Sequence, residues 1–169
     1  MKKNLALTGM MGVGKSTIGR SLSKRLLMHF SDIDKIIENE LKMSVGEIFD
    51  KNGESFFRKY EEKITLQEVK KNNTIISLGG GAFMNKKIRK GILLNAKSFW
   101  LDLDLKLIEK RLIKSKKRPL LDKKNLKETL EKIYKERKST YASANYRIDC
   151  EKLNAKSITN KIIKIYANH

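Results

Sequence analysis

A parallel β-sheet covered by helices on both faces is the architecture predicted for this chain of 169 residues. Two observations predict it. Short apolar runs of strand length alternate with segments whose apolar residues recur at helical spacing, and strands joined through helices run parallel. The first run, Leu5-Ala6-Leu7-Thr8, leads straight into Gly9-Met10-Met11-Gly12-Val13-Gly14-Lys15-Ser16, which fits the P-loop pattern G-x-x-x-x-G-K-[S/T]. Ile18, Leu22, Leu26 and Leu27 follow at helical spacing, so the pattern has the strand–loop–helix context it requires. Glycines let such a loop wrap with its N–H groups pointing inward at phosphate oxygens, and the helix N-terminus adds partial positive charge. Lys15 is placed to reach β- and γ-phosphates, and the Ser16 hydroxyl to ligate Mg²⁺. Gly12, Val13, Gly14, Lys15, Ser16 and Thr17 are therefore the nucleotide-binding candidates of this loop.

The remaining elements follow in order. Met28 to Ser31 reads as a second strand ending at Asp32-Ile33-Asp34, and Ile36, Ile37 and Leu41 mark a helix that Asp32 or Asp34 can cap. Ser44-Val45-Gly46-Glu47 has capping-box spacing and starts a short helix carrying Ile48 and Phe49. Asn52-Gly53 signals a turn, and a longer helix from Glu54 to about Lys71 follows it. Thr74 to Leu78 is a third strand running into Gly79-Gly80-Gly81; a helix from about Asn85 to Leu94 precedes a fourth, Ser98 to Leu101. Asp104 can cap the next helix, which carries Leu107, Ile108, Arg111 and Leu112. Lys114 to Lys124 is charged, holds the only proline (Pro119) and reads as a mobile loop. A helix from Asn125 to about Tyr141, a fifth strand from Tyr146 to Cys150 and a closing helix from Ser157 to Ala167 complete the chain. No linker, repeat or low-complexity block divides it, so a single domain is expected. In parallel sheets ligands gather beyond the carboxyl ends of the strands. The P-loop, Asp32, Asp34 and the three glycines all fall at such ends.

Composition narrows the function classes. No uninterrupted apolar run is long enough to cross a bilayer. Lys2 and Lys3 ahead of Leu5-Ala6-Leu7 imitate the start of a signal peptide, but glycines and Lys15 break the apolar segment and no small-residue cleavage site follows. A cytoplasmic protein without membrane attachment is expected. The single cysteine, Cys150, excludes an internal disulfide, and one Cys with two distant His is a poor zinc set. The net charge of +19 invites a nucleic-acid reading. The positive residues are nevertheless spread along nearly every segment with no nucleic-acid module beside them. A lysine-rich surface on an enzyme of anionic substrates, with no specific nucleic-acid partner, is the preferred reading.

Five constellations can carry chemistry. Asp32-x-Asp34 offers one carboxylate to a metal shell and one to a hydroxyl nucleophile; its bland reading is a helix cap. In Gly53-Glu54-x-x-Phe57-Arg58-x-x-Glu61, Arg58 and Glu61 lie one turn apart. They form either a surface ion pair or a clamp in which Arg58 grips a planar anion. Gly79-Gly80-Gly81 is costly in backbone entropy; a tight turn explains one or two of the glycines, and close approach of a ligand accounts for all three. Lys116-Lys117-Arg118-Pro119-Leu120-Leu121 is either a solvated loop or a lid whose arginine stabilises a transferring phosphoryl group. Arg137, in Glu136-Arg137-x-x-x-Tyr141, is the fifth.

As a set, from about Leu5 to Cys150, these motifs resemble the shikimate kinase family in order and spacing. The resemblance implies a nucleoside-monophosphate-kinase-like fold with sheet order 2-3-1-4-5, a mobile lid at about 114–124, and Mg·ATP-dependent phosphorylation of the 3-hydroxyl of shikimate. It implies that Asp34 holds the ring hydroxyls and positions the attacking one. Arg58, Arg137, Glu61 and Gly80, with the flanking Gly79 and Gly81, would bind shikimate, the arginines taking its carboxylate and Glu61 supporting both Arg58 and the substrate. Lys15 and Arg118 would neutralise the migrating phosphoryl group, Ser16 and (through water) Asp32 would hold Mg²⁺, and Arg111 would stack on adenine. Glu151-Lys152-Leu153-Asn154 lacks the arginine and proline often found beside the adenine in this family, and the lid is unusually lysine-rich. A monomer is expected. The nearest rivals are another small P-loop kinase, for gluconate or a nucleotide, and a basic nucleic-acid-binding protein.

Overall fold

A computed structural model describes residues 3–114 and 125–168. Its strands are β1 (Asn4–Thr8), β2 (His29–Asp32), β3 (Thr74–Ser77), β4 (Ala96–Asp102) and β5 (Tyr146–Asp149). All pair in parallel, in the order β2-β3-β1-β4-β5. The helices are α1 (Lys15–Leu26), α2 (Ile33–Leu41), α3 (Val45–Val69), α4 (Lys86–Asn95), α5 (Leu105–Lys114), α6 (Leu126–Tyr141) and α7 (Ala155–Ala167). The predicted class and strand order are those observed. Residues 115–124, with Arg118 and nearly all of the expected lid, lie outside the described residues.

Alternation along the strands decides which helices cover which face. Phe30 of β2 meets α1 at Gly19, while the next residue, Ser31, donates to Glu68 of α3 at 2.6 Å. In register, Phe30, Ile75 and Leu5 share the first face and Ser31, Ile76 and Ala6 the second. Lys97 of β4 reaches the carbonyl of Tyr166 in α7 on the first face, and Trp100 stacks on Tyr141 of α6 on the second. Thus α1 and α7 form one outer layer and α3 and α6 belong to the other. Leu5, Leu7, Ile75, Phe99 and Ile148 are fully buried between them. Among the described residues no helix is long and apolar enough to cross a membrane.

Local signals explain most boundaries. Ser44 accepts from the Glu47 N–H while Glu47 reaches back to the Ser44 N–H, a complete capping box. Asn85 caps α4 through the Lys87 and Ile88 N–H groups, and Asp104 accepts from Lys106 at 2.8 Å ahead of α5. The Asn52-Gly53 turn is compressed into a break inside α3, because Gly53 alone (φ 81°, ψ 162°) leaves the helical region. The 3-10 turn Ala82–Met84 after the glycines had no counterpart in the sequence reading.

Candidate active site

The carboxyl ends of β1, β2 and β3 bring together the P-loop, Asp32 with Asp34, and Gly79 to Gly81. Gly12 and Gly14 hold φ angles of 75° and 104°. Gly14 is the N-cap of α1, with no side-chain cap and no acidic residue in the first turn. Helix N–H groups are thus left for an anion. Lys15 is buried and folds back into the loop, its Nζ donating to the carbonyls of Gly9 (2.8 Å) and Met10 (2.9 Å). Arg111 of α5 lies against the same loop, donating to the carbonyls of Gly12 (3.3 Å) and Val13 (3.1 Å).

Ser16 Oγ donates to Asp32 Oδ2 at 2.5 Å, and Asp32 Oδ1 accepts from the Lys35 N–H at the start of α2. Asp32 is therefore both a helix cap and a carboxylate at the nucleotide loop. A hydroxyl and a carboxylate oxygen side by side suit Mg²⁺, which takes one or two protein oxygens and completes its shell with phosphates and water. Among the described residues no group of three or more His, Cys, Asp or Glu could cage a metal by itself.

The facing wall is built from α2, α3 and α6. Arg58 Nη1 donates to Glu61 Oε2 at 2.8 Å, while its Nε and Nη2 reach Glu54 Oε1 at 3.1 and 3.0 Å. Glu61 is only 1% exposed, so this is no surface ion pair. Burial raises the Glu61 carboxyl above the usual carboxylate range; Arg58 opposes that and the nearby Asp34 adds to it. Burial also works against the Arg58 charge, but Glu61 and Glu54 outweigh it and the guanidinium is held more firmly protonated than usual. The sequence reading named Glu61 and passed over Glu54, although Glu54 stands four residues before Arg58, the spacing of a helical ion pair.

The three glycines make room for these side chains. A Cβ on Gly79 would sit 2.5 Å from Glu61 Oε1 and 2.8 Å from Asp34 Oδ1. One on Gly81 would sit 2.7 Å from Arg58 Nη2. At Gly80 it would meet Met11 N at 3.4 Å and Arg137 Nη1 at 3.6 Å. Gly79 and Gly81 thus leave room for the site's own carboxylates and guanidinium, whereas the contacts at Gly80 are ordinary ones. Arg137 is half-buried on α6 and acts electrostatically on both Glu61 and Tyr141. Of the sequence candidates, Ser16 meets Asp32, Arg111 meets Gly12 and Val13, Arg58 meets Glu61, and the glycines stand beside Asp34, Glu61, Arg58 and Arg137. Arg118 lies outside the described residues.

Known proteins share this fold and sequence. The profile of the shikimate kinase family matches residues 11–167. A shikimate kinase of Bartonella henselae is 39% identical over 160 residues, covering 95% of this chain and 76% of that protein. One of Bacillus subtilis is 38% identical over 167 residues, covering 96% and 88%. The structure of shikimate kinase from Acinetobacter baumannii in complex with shikimate superposes with a TM-score of 0.93 at 29% identity, covering 98% of this chain and 93% of that one. With the sheet order, the P-loop cleft and nearly the whole length in accord, the chain belongs to the shikimate kinase family.

Proposed function

We propose that this chain is a cytoplasmic, monomeric, single-domain enzyme (residues 1–169, lid about 114–124) that transfers the γ-phosphoryl group of Mg·ATP to the 3-hydroxyl of shikimate. The observation that carries the reading is the meeting of two walls at Gly80. On one side stands a P-loop with an uncapped helix N-terminus; on the other, Asp34, Glu61, Arg58 and Arg137 crowd the glycines.

The roles follow from chemistry. The N–H groups from Gly12 to Thr17 cradle phosphate, and Lys15 exchanges its two loop carbonyls for β- and γ-phosphate oxygens. Ser16 and, through water, Asp32 would hold Mg²⁺, which would neutralise charge on the phosphates. Arg111 covers the nucleotide side of the loop, where adenine would stack on it, and Arg118 closes from the lid onto the migrating group. Arg58 and Arg137 take the shikimate carboxylate, the former kept aimed and charged by Glu61 and Glu54. Asp34 orients the attacking hydroxyl and accepts its proton as the new P–O bond forms and the bond to ADP breaks. Gly79 lets Asp34 and Glu61 stand that close to the glycine turn.

The test is an ADP-release assay on purified protein with shikimate, gluconate and nucleoside monophosphates as acceptors. Turnover with shikimate alone is expected. Turnover with a monophosphate and none with shikimate would overturn the reading.

A further inference from the structure

Tyr141 closes α6, and its side chain has no place in the chemistry above. It is fully buried, yet its hydroxyl does not point into apolar packing. The hydroxyl donates to the Gly80 carbonyl at 2.5 Å and lies 4.0 Å from Met10 Sδ in the P-loop. The Arg137 guanidinium, one turn earlier on the helix, is near enough to act electrostatically on the same hydroxyl. Burial raises the phenol above its ordinary range, which keeps the proton on the oxygen and the donor available to Gly80. Behind it the ring stacks on Trp100 at 6.1 Å, and the Arg147 guanidinium covers Trp100 at 5.1 Å. The phenol is thus braced from the rear and has little freedom to give.

Gly80 occupies the seam between the two walls. Beyond its Cα lie Met11 N and Gly9 O of the nucleotide loop, and Arg137 Nη1 of the acceptor wall. One hydroxyl therefore touches the glycine turn and the flank of the P-loop, at the place where Arg137 meets Gly80. We propose that Tyr141 is a positioning residue for the acceptor. Its hydroxyl holds the Gly80 carbonyl, and with it the turn on which Arg137 rests, so that bound shikimate is registered against the P-loop. Packing alone is the bland reading of a buried tyrosine at a helix end; ring stacking on Trp100 needs no hydroxyl, whereas the bond to the Gly80 carbonyl does.

This inference rests on shikimate being the acceptor, and Tyr141→Phe tests it because the ring and its stacking are retained. Losing the hydroxyl releases the Gly80 carbonyl beside Arg137, so the shikimate KM rises roughly tenfold, as for a lost buried hydrogen bond. The kcat and the ATP KM change by less than about threefold, the pattern of an interaction used equally in ground and transition states. Titration of the single tryptophan's fluorescence with shikimate supplies an affinity independent of turnover. In the Arg137→Ala background the same substitution adds much less than it does alone, because groups acting through one another are not additive. A melting point lowered with the shikimate KM within about twofold of wild type, or effects of Tyr141→Phe and Arg137→Ala that simply multiply, would overturn the positioning role. Wild-type protein that neither binds nor phosphorylates shikimate would instead remove the functional reading beneath it.

Discussion

At Glu61 one carboxylate oxygen is held by Arg58, while among the described residues the other has no hydrogen-bond partner although it is buried. The fold therefore favours the neutral form of this residue more than water does, and its folded pKa is raised. A group with a raised folded pKa contributes stability below its unfolded pKa and loses it as pH climbs through the folded value. Glutamine in its place does not titrate. The melting temperature of Glu61→Gln relative to wild type should accordingly climb between about pH 4 and about pH 7. Calorimetry across that range checks it, and a gap that narrows or stays flat refutes the burial account. The same substitution should weaken shikimate binding, because Arg58 loses its buried counter-charge. Arg58→Ala and Arg137→Ala should raise the shikimate KM by about a hundredfold each, as expected when charge-assisted hydrogen bonds are lost, with the ATP KM within about twofold. Lys15→Ala or Asp34→Ala should lower kcat by about a thousandfold or more, since each acts where charge or a proton moves in the transition state. Steady-state kinetics separate the two classes, and an unchanged shikimate KM in Arg58→Ala ends the clamp assignment.

Between elements, the approach of α1 to β2 sets the distance from Ser16 to Asp32, one on each. Gly19 governs that approach: a Cβ there would stand 2.3 Å from Phe30 Cε2. In an open helix position Gly→Ala stabilises by about 1 kcal/mol. Here overpacking against the Phe30 ring should reverse the sign and cost about 1–2 kcal/mol. Because Phe30 stands two residues before Asp32, Gly19→Ala should also raise the Mg·ATP requirement while leaving the shikimate KM close to wild type. Denaturant melts and magnesium titrations read both effects, and a more stable Gly19→Ala protein would show that the ring moves aside freely. At this scale much was legible. Ser44 with Glu47, Asn85 and Asp104 announce helix starts because short polar side chains answer unpaired N–H groups in their own neighbourhood. The break at Gly53 was legible as a turn between two helical segments, and that is where the non-helical Gly53 parts them. Whether a helix resumes after a single glycine depends on what packs around both halves.

Across the whole molecule, a net charge of +19 sets lysine against lysine. Among the described residues Lys35, Arg58, Lys71, Lys87 and Arg147 form carboxylate ion pairs, few beside the 38 lysines and arginines the chain carries. Added salt screens such self-repulsion, so the melting temperature should rise between about 0.05 and 0.5 M NaCl. The kcat/KM for anionic substrates should fall over the same range as steering is lost. Thermal shift and kinetics in parallel test this, and a melting temperature that falls with salt would mean the surface charges are already compensated.

By itself the sequence determined the parallel α/β class, the P-loop and the set of polar residues that make the cleft. Those features are written in local spacing and in glycines that tolerate few alternatives. Tertiary structure alone decided that Glu61 is buried beside Asp34, that the glycines yield to the site's own side chains, and that Tyr141 reaches Gly80. These depend on contacts between residues as far apart as 61 positions along the chain. Burial, and with it the charge state of a carboxylate or the reach of a phenol, is a property of the packed layers and of no single segment.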